Sequence, residues 1–282
     1  MEFKEAVGTR RSIRMWLPYR PVEPEKIEAI LEAIYTAPRV LEADFLRVVV
    51  MHRDDISHED LEAMKTPTTM GQIDLCPIYM FMYSDLDALE RATDGKNLEQ
   101  MIDIGALNRS HGWTRDFIQS TIIPDIYRRV LDDENRIAQQ FRTEDGTREG
   151  PSTSRELMVL GRIQLGIAQA YALLAAVDQG LGVQLTNLTD AVPRRLMGIP
   201  DSWFGDNPMF VGYCAEDREA GGQRPREPLE EDYFEGHYGV PFRRDAGVVE
   251  QLEEADMIQQ AAPLPWRRDE LRRLARMFGL PE

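Results

Sequence analysis

The 282-residue sequence has few of the residues that build a disulfide scaffold or a metal centre. Its two cysteines, Cys76 and Cys214, each lie within or beside an apolar segment typical of a strand. We therefore interpret them as reduced core thiols rather than as a disulfide pair. The four histidines are scattered, and none has the spacing to cysteine or carboxylate ligands that a metal site needs. We expect no metal centre.

Positive charge is also scarce, because 33 lysines and arginines face 49 aspartates and glutamates, for a formal net charge of −16. An acidic surface repels phosphate backbones, which argues against nucleic acid as a partner. No apolar run approaches the length of a membrane span, and the first residues lack the pattern of a signal peptide, so we expect a cytoplasmic protein without membrane contact. No Gly-x-Gly-x-x-Gly dinucleotide fingerprint follows a predicted strand.

Against this acidic background, three arginines and a serine are concentrated near the start of the chain, in Arg10-Arg11-Ser12-Ile13-Arg14. Guanidinium groups bind phosphate through paired, charge-assisted hydrogen bonds. A short helix from Phe3 to Val7, ended by Gly8, would present these side chains together. An exposed basic turn that pairs with surface carboxylates is the alternative.

Periodicity and capping signals predict the main elements. A helix begins at Pro24, buries an apolar face through Ile34 and ends before Pro38. A long helix opens with a capping box at Thr153 and Glu156, and its segment from Leu165 to Val177 is apolar or small on nearly every side, which predicts burial all round. Gly180 is placed to cap its C-terminus. Apolar runs predict strands at Leu46–His52, Ile78–Tyr83, Val183–Leu188 and Met209–Ala215. Further helices are predicted around Leu98–Leu107 and near Phe278 at the end.

The order of these features resembles the nitroreductase family of FMN-dependent oxidoreductases over roughly residues 1 to 240. The matching features are the Arg-Arg-Ser-x-Arg segment, the proline-flanked link, the Ala-Pro turn, the turn Gly180-Leu181-Gly182 with its strand, and the basic element Arg224-Pro225-Arg226. The resemblance implies an α+β, three-layer fold with a central, mostly antiparallel sheet flanked by helices. It also implies a homodimer that exchanges a C-terminal arm.

In domain terms, the resemblance implies an FMN-binding core over residues 1–216. Residues 86–150 would form a helical insertion, either a lid over the flavin or a peripheral addition. Residues 217–282 would form the C-terminal arm, packed on the core and on the partner subunit.

The resemblance also implies a binding site for FMN. Its phosphate would be held by Arg10, Arg11, Ser12 and Arg14, with Arg224 and Arg226 returning from the far end of the chain. Thr186, Asn187 and Leu188 would lie near the flavin ring, and the turn at Pro38 and Arg39 would contact the ring from the other subunit. The alternatives are that Arg224 and Arg226 form an exposed basic loop and that Thr186–Leu188 only end a strand.

The sequence departs from the family after Ala37-Pro38. Many members continue with a serine, an asparagine and a Gln-Pro-Trp run, whereas this chain continues with Arg39-Val40-Leu41-Glu42. Arg39 could bind an anionic substrate or the pyrimidine edge of the flavin. It could equally form a surface ion pair with Glu42 or Asp44, and the departure leaves flavin binding itself open.

The resemblance implies a two-electron, ping-pong transfer from NAD(P)H to a small organic acceptor such as a nitroaromatic, a quinone or an enone. We expect no catalytic side chain, because the cofactor carries the redox chemistry. The alternatives are a specialised flavoenzyme of the same fold (a biosynthetic dehydrogenase, a reductive dehalogenase or a flavin-fragmenting oxygenase) and a non-catalytic FMN-binding protein.

Overall fold

A computed structural model describes residues 1–132, 155–205 and 208–281, and the statements below refer to these residues. They contain a five-stranded sheet in the order β1-β2-β5-β3, with β4 also paired to β2. All of the described strand pairs are antiparallel. The strands are β1 (Leu46–His52), β2 (Ile78–Asp85), β3 (Gly182–Leu185), β4 (Trp203–Gly205) and β5 (Met209–Gly212).

Helices surround this sheet. They are α1 (Phe3–Thr9), α2 (Pro24–Tyr35), α3 (His58–Met64), α4 (Met70–Leu75), α5 (Ala88–Arg91), α6 (Lys96–Asp103), α7 (Arg115–Phe117), α8 (Arg155–Asp178), α9 (Ala191–Met197), α10 (Leu229–Asp232), α11 (Ala246–Glu254) and α12 (Arg267–Phe278). A π-helix at Ile118–Arg128 continues α7, and short 3₁₀ turns lie at Arg53–Asp55, Ala92–Asp94 and Arg109–His111.

Strand β2 is the centre of the fold and is buried along its whole length. Because side chains alternate along a strand, Met80 and Met82 face one side of the sheet and Tyr79 and Phe81 the other. The first side packs against α2 and α8, and the second against α3, α4, α9 and the end of α12. The sheet is thus the middle of three layers, which confirms the α+β architecture expected from the sequence.

The predicted strands β1 and β2 are confirmed, whereas β3 and β5 end earlier than predicted. The last ladder pair between them joins Leu185 to Met209. Beyond it a single hydrogen bond continues, from the Thr186 N–H to the Pro208 carbonyl at 3.1 Å. Thr186, Asn187 and Leu188 therefore lie just past the end of β3, in irregular backbone.

Helix α8 differs from its prediction, because only one of its faces is buried within the protomer. Leu165, Ala168, Ala172 and Ala176 pack into the core on the α2 side of the sheet. On the opposite face of the predicted segment, Tyr171 is 41% exposed and Gly166 and Ala170 are also exposed, as are Val159 and Ile163 earlier in the helix. The sheet and α2 cover one side of the helix and leave the other open. Thr153, the first residue of the predicted capping box, lies outside the described residues.

One described helix, Glu156–Asp178 in the α8 region, is long and apolar enough to cross a membrane by length and composition alone. This corrects the expectation that no apolar run approaches that length. Its small and apolar inner face packs into the sheet core, which is the position of the central helix of a globular fold.

The described part of the insertion, residues 86–132, has a core of its own. Leu89, Leu98, Ile122 and Tyr127 cluster there with Leu157 of α8. Residues 133–150 lie outside the described residues, and a lid role for the insertion stays a prediction.

The C-terminal tail divides into two parts. Residues 257–281 return to the core of their own protomer, where Leu264, Leu274 and Ala275 are buried. Residues 231–248 are exposed throughout and contain a hairpin closed by a bridge between Phe234 and Pro241. Exchange of an arm with a second subunit stays a prediction.

Candidate anion-binding site

The arginine segment that follows α1 is attached to the outer edge of β3. The N–H of Ile13 donates to the Val183 carbonyl at 2.9 Å, and Ser12 forms a parallel bridge with the same residue. The Ile13 and Trp16 side chains are buried, and the indole N–H of Trp16 donates to the Gly182 carbonyl at 3.2 Å. These contacts leave the polar side chains of the segment on its outer side.

Arg10 has the properties of an anion-binding residue. Its guanidinium is half-buried and makes no hydrogen bond or ion pair with any described residue. Burial, together with the neighbouring positive charge of Arg226, lowers the pKa of the Arg10 guanidinium. Two like charges that are close together and lack a carboxylate partner favour the binding of an anion.

Arg11 is engaged within the protein. Its guanidinium donates to the carbonyls of Gly222, at 3.1 Å, and of Gly8 and Arg10, and to the Oε1 atom of Gln259. Burial is the main cause that lowers the pKa of Arg11, and the charge of Arg10 adds to it. In this conformation Arg11 ties α1 to the tail and offers no free donor pair to a ligand.

Arg14 is exposed, and its Nη1 atom donates to the Ser12 carbonyl at 2.9 Å. Arg224 and Arg226 are also exposed, and neither pairs with a carboxylate among the described residues. Arg226 is near enough to Arg10 for its charge to lower the pKa of the Arg10 guanidinium, whereas no described interaction links Arg224 to the arginine segment.

The loop that carries Arg224 and Arg226 is held against the tail by backbone hydrogen bonds. The Gln223 N–H donates to the Gln260 carbonyl at 2.9 Å, and the Leu264 N–H donates to the Gly221 carbonyl at 2.8 Å. Gly222 has φ of +109°, and a Cβ atom there would lie 2.9 Å from the Ala262 nitrogen. Only glycine accommodates both this φ and this close approach.

Thr186, Asn187 and Leu188 follow β3 at the end opposite Trp16. Thr186 is buried, Leu188 is half-buried and Asn187 is exposed. Thr186 lies three positions after Val183, the bridge partner of Ser12. Three positions of extended chain span about 10 Å. The arginine segment and residues 186–188, which we call the open end of β3, therefore lie along the same edge of the sheet.

Pro38 and Arg39 lie at a separate cavity of about 350 Å³ between α2, α8 and β1. Its floor is apolar, with Leu31, Ile34 and Val48 among the lining residues. The Arg39 guanidinium lies 5.8 Å from the ring centroid of Tyr35. Neither Glu42 nor Asp44 pairs with Arg39 among the described contacts, and the nearest cation to Asp44 is Arg47, at 3.9 Å.

The backbone after Arg39 is unusual, because Leu41 and Glu42 have φ of 53° and 46°. Left-handed backbone is costly for residues with a side chain, and it persists only where the surroundings enforce it. Here the Tyr127 hydroxyl donates to the Leu41 carbonyl, and Gln164 Oε1 accepts the Val40 N–H at 3.3 Å.

Within one protomer, the two parts of the predicted site do not meet. The arginine segment lies outside β3 and the Arg39 cavity lies at β1, which are the two ends of the strand order. Three strand spacings, about 14 Å, separate these edges.

Sequence reasoning did not identify the carboxylates that hold the arginine segment. Glu216, just after β5, accepts the backbone N–H groups of Arg14 and Met15, and Arg267 of α12 donates to its other oxygen. No sequence motif marks these residues, since Glu216 and Arg267 are 51 positions apart.

No protein-family model matches the sequence, and no curated protein sequence matches it. Solved structures do match. A nitroreductase family protein from Streptococcus pneumoniae aligns with a TM-score of 0.53 and 15% identity, over 82% of this chain and 97% of that one. A candidate nitroreductase from Exiguobacterium sibiricum, solved in complex with FMN, aligns with a TM-score of 0.57 and 14% identity, over 83% and 96%.

A third match is an enone reductase of gut-bacterial fatty acid saturation, with a TM-score of 0.52 and 15% identity, over 77% of this chain and 90% of that one. These similarities show that the chain has the nitroreductase fold, which confirms the resemblance noted in the sequence.

Proposed function

We propose that this protein is an FMN-dependent oxidoreductase that acts as a homodimer and transfers two electrons from NAD(P)H to a small organic acceptor. The observation that carries the proposal is the half-buried guanidinium of Arg10, which lies beside Arg226 and has no carboxylate partner among the described residues. On a chain of net charge −16, such an unpaired cationic pair indicates an anionic ligand.

The residues present fit a phosphate monoester. Arg10 and Arg226 supply positive charge, and Arg14 and Arg224 are exposed within the same two segments. A dianionic phosphate between Arg10 and Arg226 would offset both the burial and the repulsion from Arg226 that lower the pKa of Arg10. Arg11 does not fit this role in the present conformation, because its donors are engaged with backbone carbonyls and Gln259.

The open end of β3 suits the flavin ring, which is the part of FMN at the other end from the phosphate. Thr186–Leu188 lie about 10 Å along the strand from the arginine segment, a separation that a ribityl chain could span. The Thr186 N–H is used by the Pro208 carbonyl, whereas the N–H groups of Asn187 and Leu188 make no hydrogen bond among the described residues. When bound, the flavin supplies the redox chemistry, and the protein binds it, orients it and excludes water.

A second copy of the chain would complete the site. The Arg39 cavity and the arginine segment lie at opposite edges of one sheet, so a single protomer cannot use both on one ligand. In a homodimer, the β1 edge of one protomer can face the β3 edge of its partner. The exposed apolar residues of α8 and of the 231–248 segment support such an assembly.

Arg39 favours an acceptor that carries negative charge. Its guanidinium has no carboxylate partner among the described contacts, and it lies at the rim of an apolar cavity beside Tyr35. A flat apolar body would pack on the cavity floor while a carboxylate pairs with Arg39. The pyrimidine oxygens of the flavin are the alternative partner.

Titration of the full-length protein with FMN, riboflavin and FAD tests the cofactor. Riboflavin lacks the phosphate, so we expect FMN to bind at least about 100-fold more tightly, as two charge-assisted contacts imply. A preference for FAD, or no flavin binding after reconstitution, would contradict the proposal.

Anaerobic reduction of the flavin-loaded protein with NADH and with NADPH tests the activity. Matched acceptors with and without a carboxylate (nitroaromatic, quinone and enone) then test the role of Arg39, with Arg39→Ala as the comparison variant. Bound FMN that neither nicotinamide reduces would instead favour a specialised flavoenzyme of this fold or a non-catalytic FMN-binding protein.

A further inference from the structure

A buried ion-pair triad, formed by Glu216, Arg267 and Glu270, joins the arginine segment to helix α12. The Glu216 side chain is fully buried, and its Oε1 atom accepts the N–H groups of Arg14 and, at 2.9 Å, of Met15. Arg267 donates one arm of its guanidinium to Glu216 and the other to Glu270 at 2.8 Å. Glu270 also accepts the backbone N–H of Asp217.

Arg267 supplies the positive charge that compensates the two buried carboxylates, Glu216 and Glu270. Burial alone would lower the pKa of its guanidinium, but the hydrogen bonds and charges of Glu216 and Glu270 outweigh burial and raise it above the usual value. Without Arg267, two buried carboxylates would lose their counter-charge, which is strongly unfavourable.

A second contact ties the same segment to the tail. Arg11 donates to Gln259 and to the Gly222 carbonyl. The loop that carries Gly222 is itself held to the tail, because the Gln223 side chain donates to the Met257 carbonyl at 3.1 Å. Contacts to the sheet are made by the buried side chain of Ile13 and by the backbone, at Ile13 and at Met15, whose carbonyl accepts the Ala215 N–H at 2.9 Å. The tail therefore adds to the sheet in fixing the path of the segment from Arg10 to Met15.

We propose that the triad of Glu216, Arg267 and Glu270 positions the arginine segment, so that helix α12 sets the affinity of the anion-binding site without contributing a ligand to it. The link to FMN rests on the proposed function above. Glu216 and Arg267 are positioning residues here, since their polar atoms are engaged with each other, with Glu270 and with backbone N–H groups.

The test uses the full chain with Arg267→Gln, the charge-preserving Arg267→Lys, and Arg272→Gln as a matched control. Arg272 lies on the same helix, is 59% exposed and pairs only with Asp269 among the described contacts. Amide hydrogen exchange is measured without flavin, and a peptide covering residues 10–17 is compared with one covering β2, which reports on global folding.

For Arg267→Gln we expect exchange in residues 10–17 to rise by at least about tenfold more than exchange in β2, because the segment loses its buried anchor while any global destabilisation affects both peptides. Arg267→Lys should fall between this variant and the wild type, and Arg272→Gln should match the wild type. In a flavin titration, the Kd for FMN should rise by at least about tenfold for Arg267→Gln and stay constant for Arg272→Gln.

Exchange in residues 10–17 that is unchanged, or that rises only in step with β2, would overturn the positioning role. Faster exchange with an unchanged Kd for FMN would overturn its link to the cofactor. If Arg267→Gln does not fold, Glu270→Gln, which leaves the Arg267–Glu216 pair intact, should raise the same exchange by a smaller factor. A wild-type protein that binds no FMN would refute the proposed function, whereas the exchange comparison still decides the positioning role.

Discussion

At the residue scale, Arg10 and Arg11 are neighbours of the same type with different environments. The Arg10 guanidinium has no hydrogen-bonding partner among the described residues, whereas the Arg11 guanidinium donates to three carbonyls and to Gln259. We expect Arg10→Ala to weaken FMN binding by about 1.5–3 kcal/mol, the value of a charge-assisted contact, and to leave the free energy of unfolding unchanged to within about 0.5 kcal/mol.

Arg11→Ala should show the reverse pattern. Loss of its hydrogen bonds leaves carbonyl groups without partners and should lower the free energy of unfolding by about 2 kcal/mol. Urea unfolding and flavin titration of both variants check the two expectations together. Equal effects of the two substitutions on FMN affinity, with no difference in stability, would contradict the separate roles.

The sequence could not distinguish these two arginines. Their roles depend on Gly222, Arg226 and Gln259, which lie more than 200 positions away and are placed by the fold. The cluster itself was visible in the sequence because its charge contrasts with an acidic chain. Local composition thus predicts an anion site, and only tertiary contacts showed which guanidinium is left without a partner among the described residues.

At the element scale, predictions succeeded where a local pattern decides the structure. The helix at Pro24–Tyr35 has proline in its first turn and buries Ile27, Ile30 and Ile34, as its periodicity indicated. The ends of β3 and β5 were wrong because they depend on where two distant strands stop pairing. An apolar composition likewise could not show which face of α8 the sheet would leave uncovered.

That uncovered face gives a prediction about assembly. Val159, Ile163, Gly166 and Ala170 are exposed and recur at helical spacing along α8. Such an apolar stripe fits a helix–helix contact between two copies of the chain. Ile163→Glu should therefore yield a monomer in light scattering, with little change in protomer stability, because the side chain is already 48% exposed.

Met70→Glu is the matched control for this variant. Met70 is 62% exposed on α4, in the layer on the other side of the sheet, so a charge there should leave the oligomeric state unchanged. A dimer for both variants would exclude the α8 face from the interface, and a monomeric wild type would refute the homodimer itself.

At the scale of the whole molecule, the long tail divides into a buried and an exposed part that its sequence did not distinguish. The aromatic residues of the tail predicted that it packs against another part of the protein, but they did not show whether that part is its own protomer or a partner subunit. The structure buries Leu264, Leu274 and Ala275 in the same protomer and leaves Tyr238 92% exposed in the hairpin. The other large apolar residues of this segment are 36–60% exposed and present an apolar surface; they are Tyr233, Phe234, Val240 and Phe242.

Two variants of the tail distinguish the contribution of its exposed hairpin from that of its buried part. Replacing residues 234–241 with a two-glycine turn removes the hairpin but keeps α11 and α12, and the paired backbones of Tyr233 and Phe242 show that the ends are close enough to join. Because residues 231–248 are exposed throughout, the protomer should keep its thermal stability while the dimer and its flavin are lost.

Truncation after Gly239 should instead destabilise the protomer by several kcal/mol, since it removes buried apolar side chains and also Arg267, the counter-charge of Glu216. Thermal unfolding and light scattering on both variants distinguish the outcomes. If the hairpin replacement remains a flavin-bound dimer, the segment is not an interface. Of the two surfaces argued above, only the α8 face would then remain as the dimer contact. That face would bring the Arg39 cavity of one protomer to the arginine segment of the other without the hairpin.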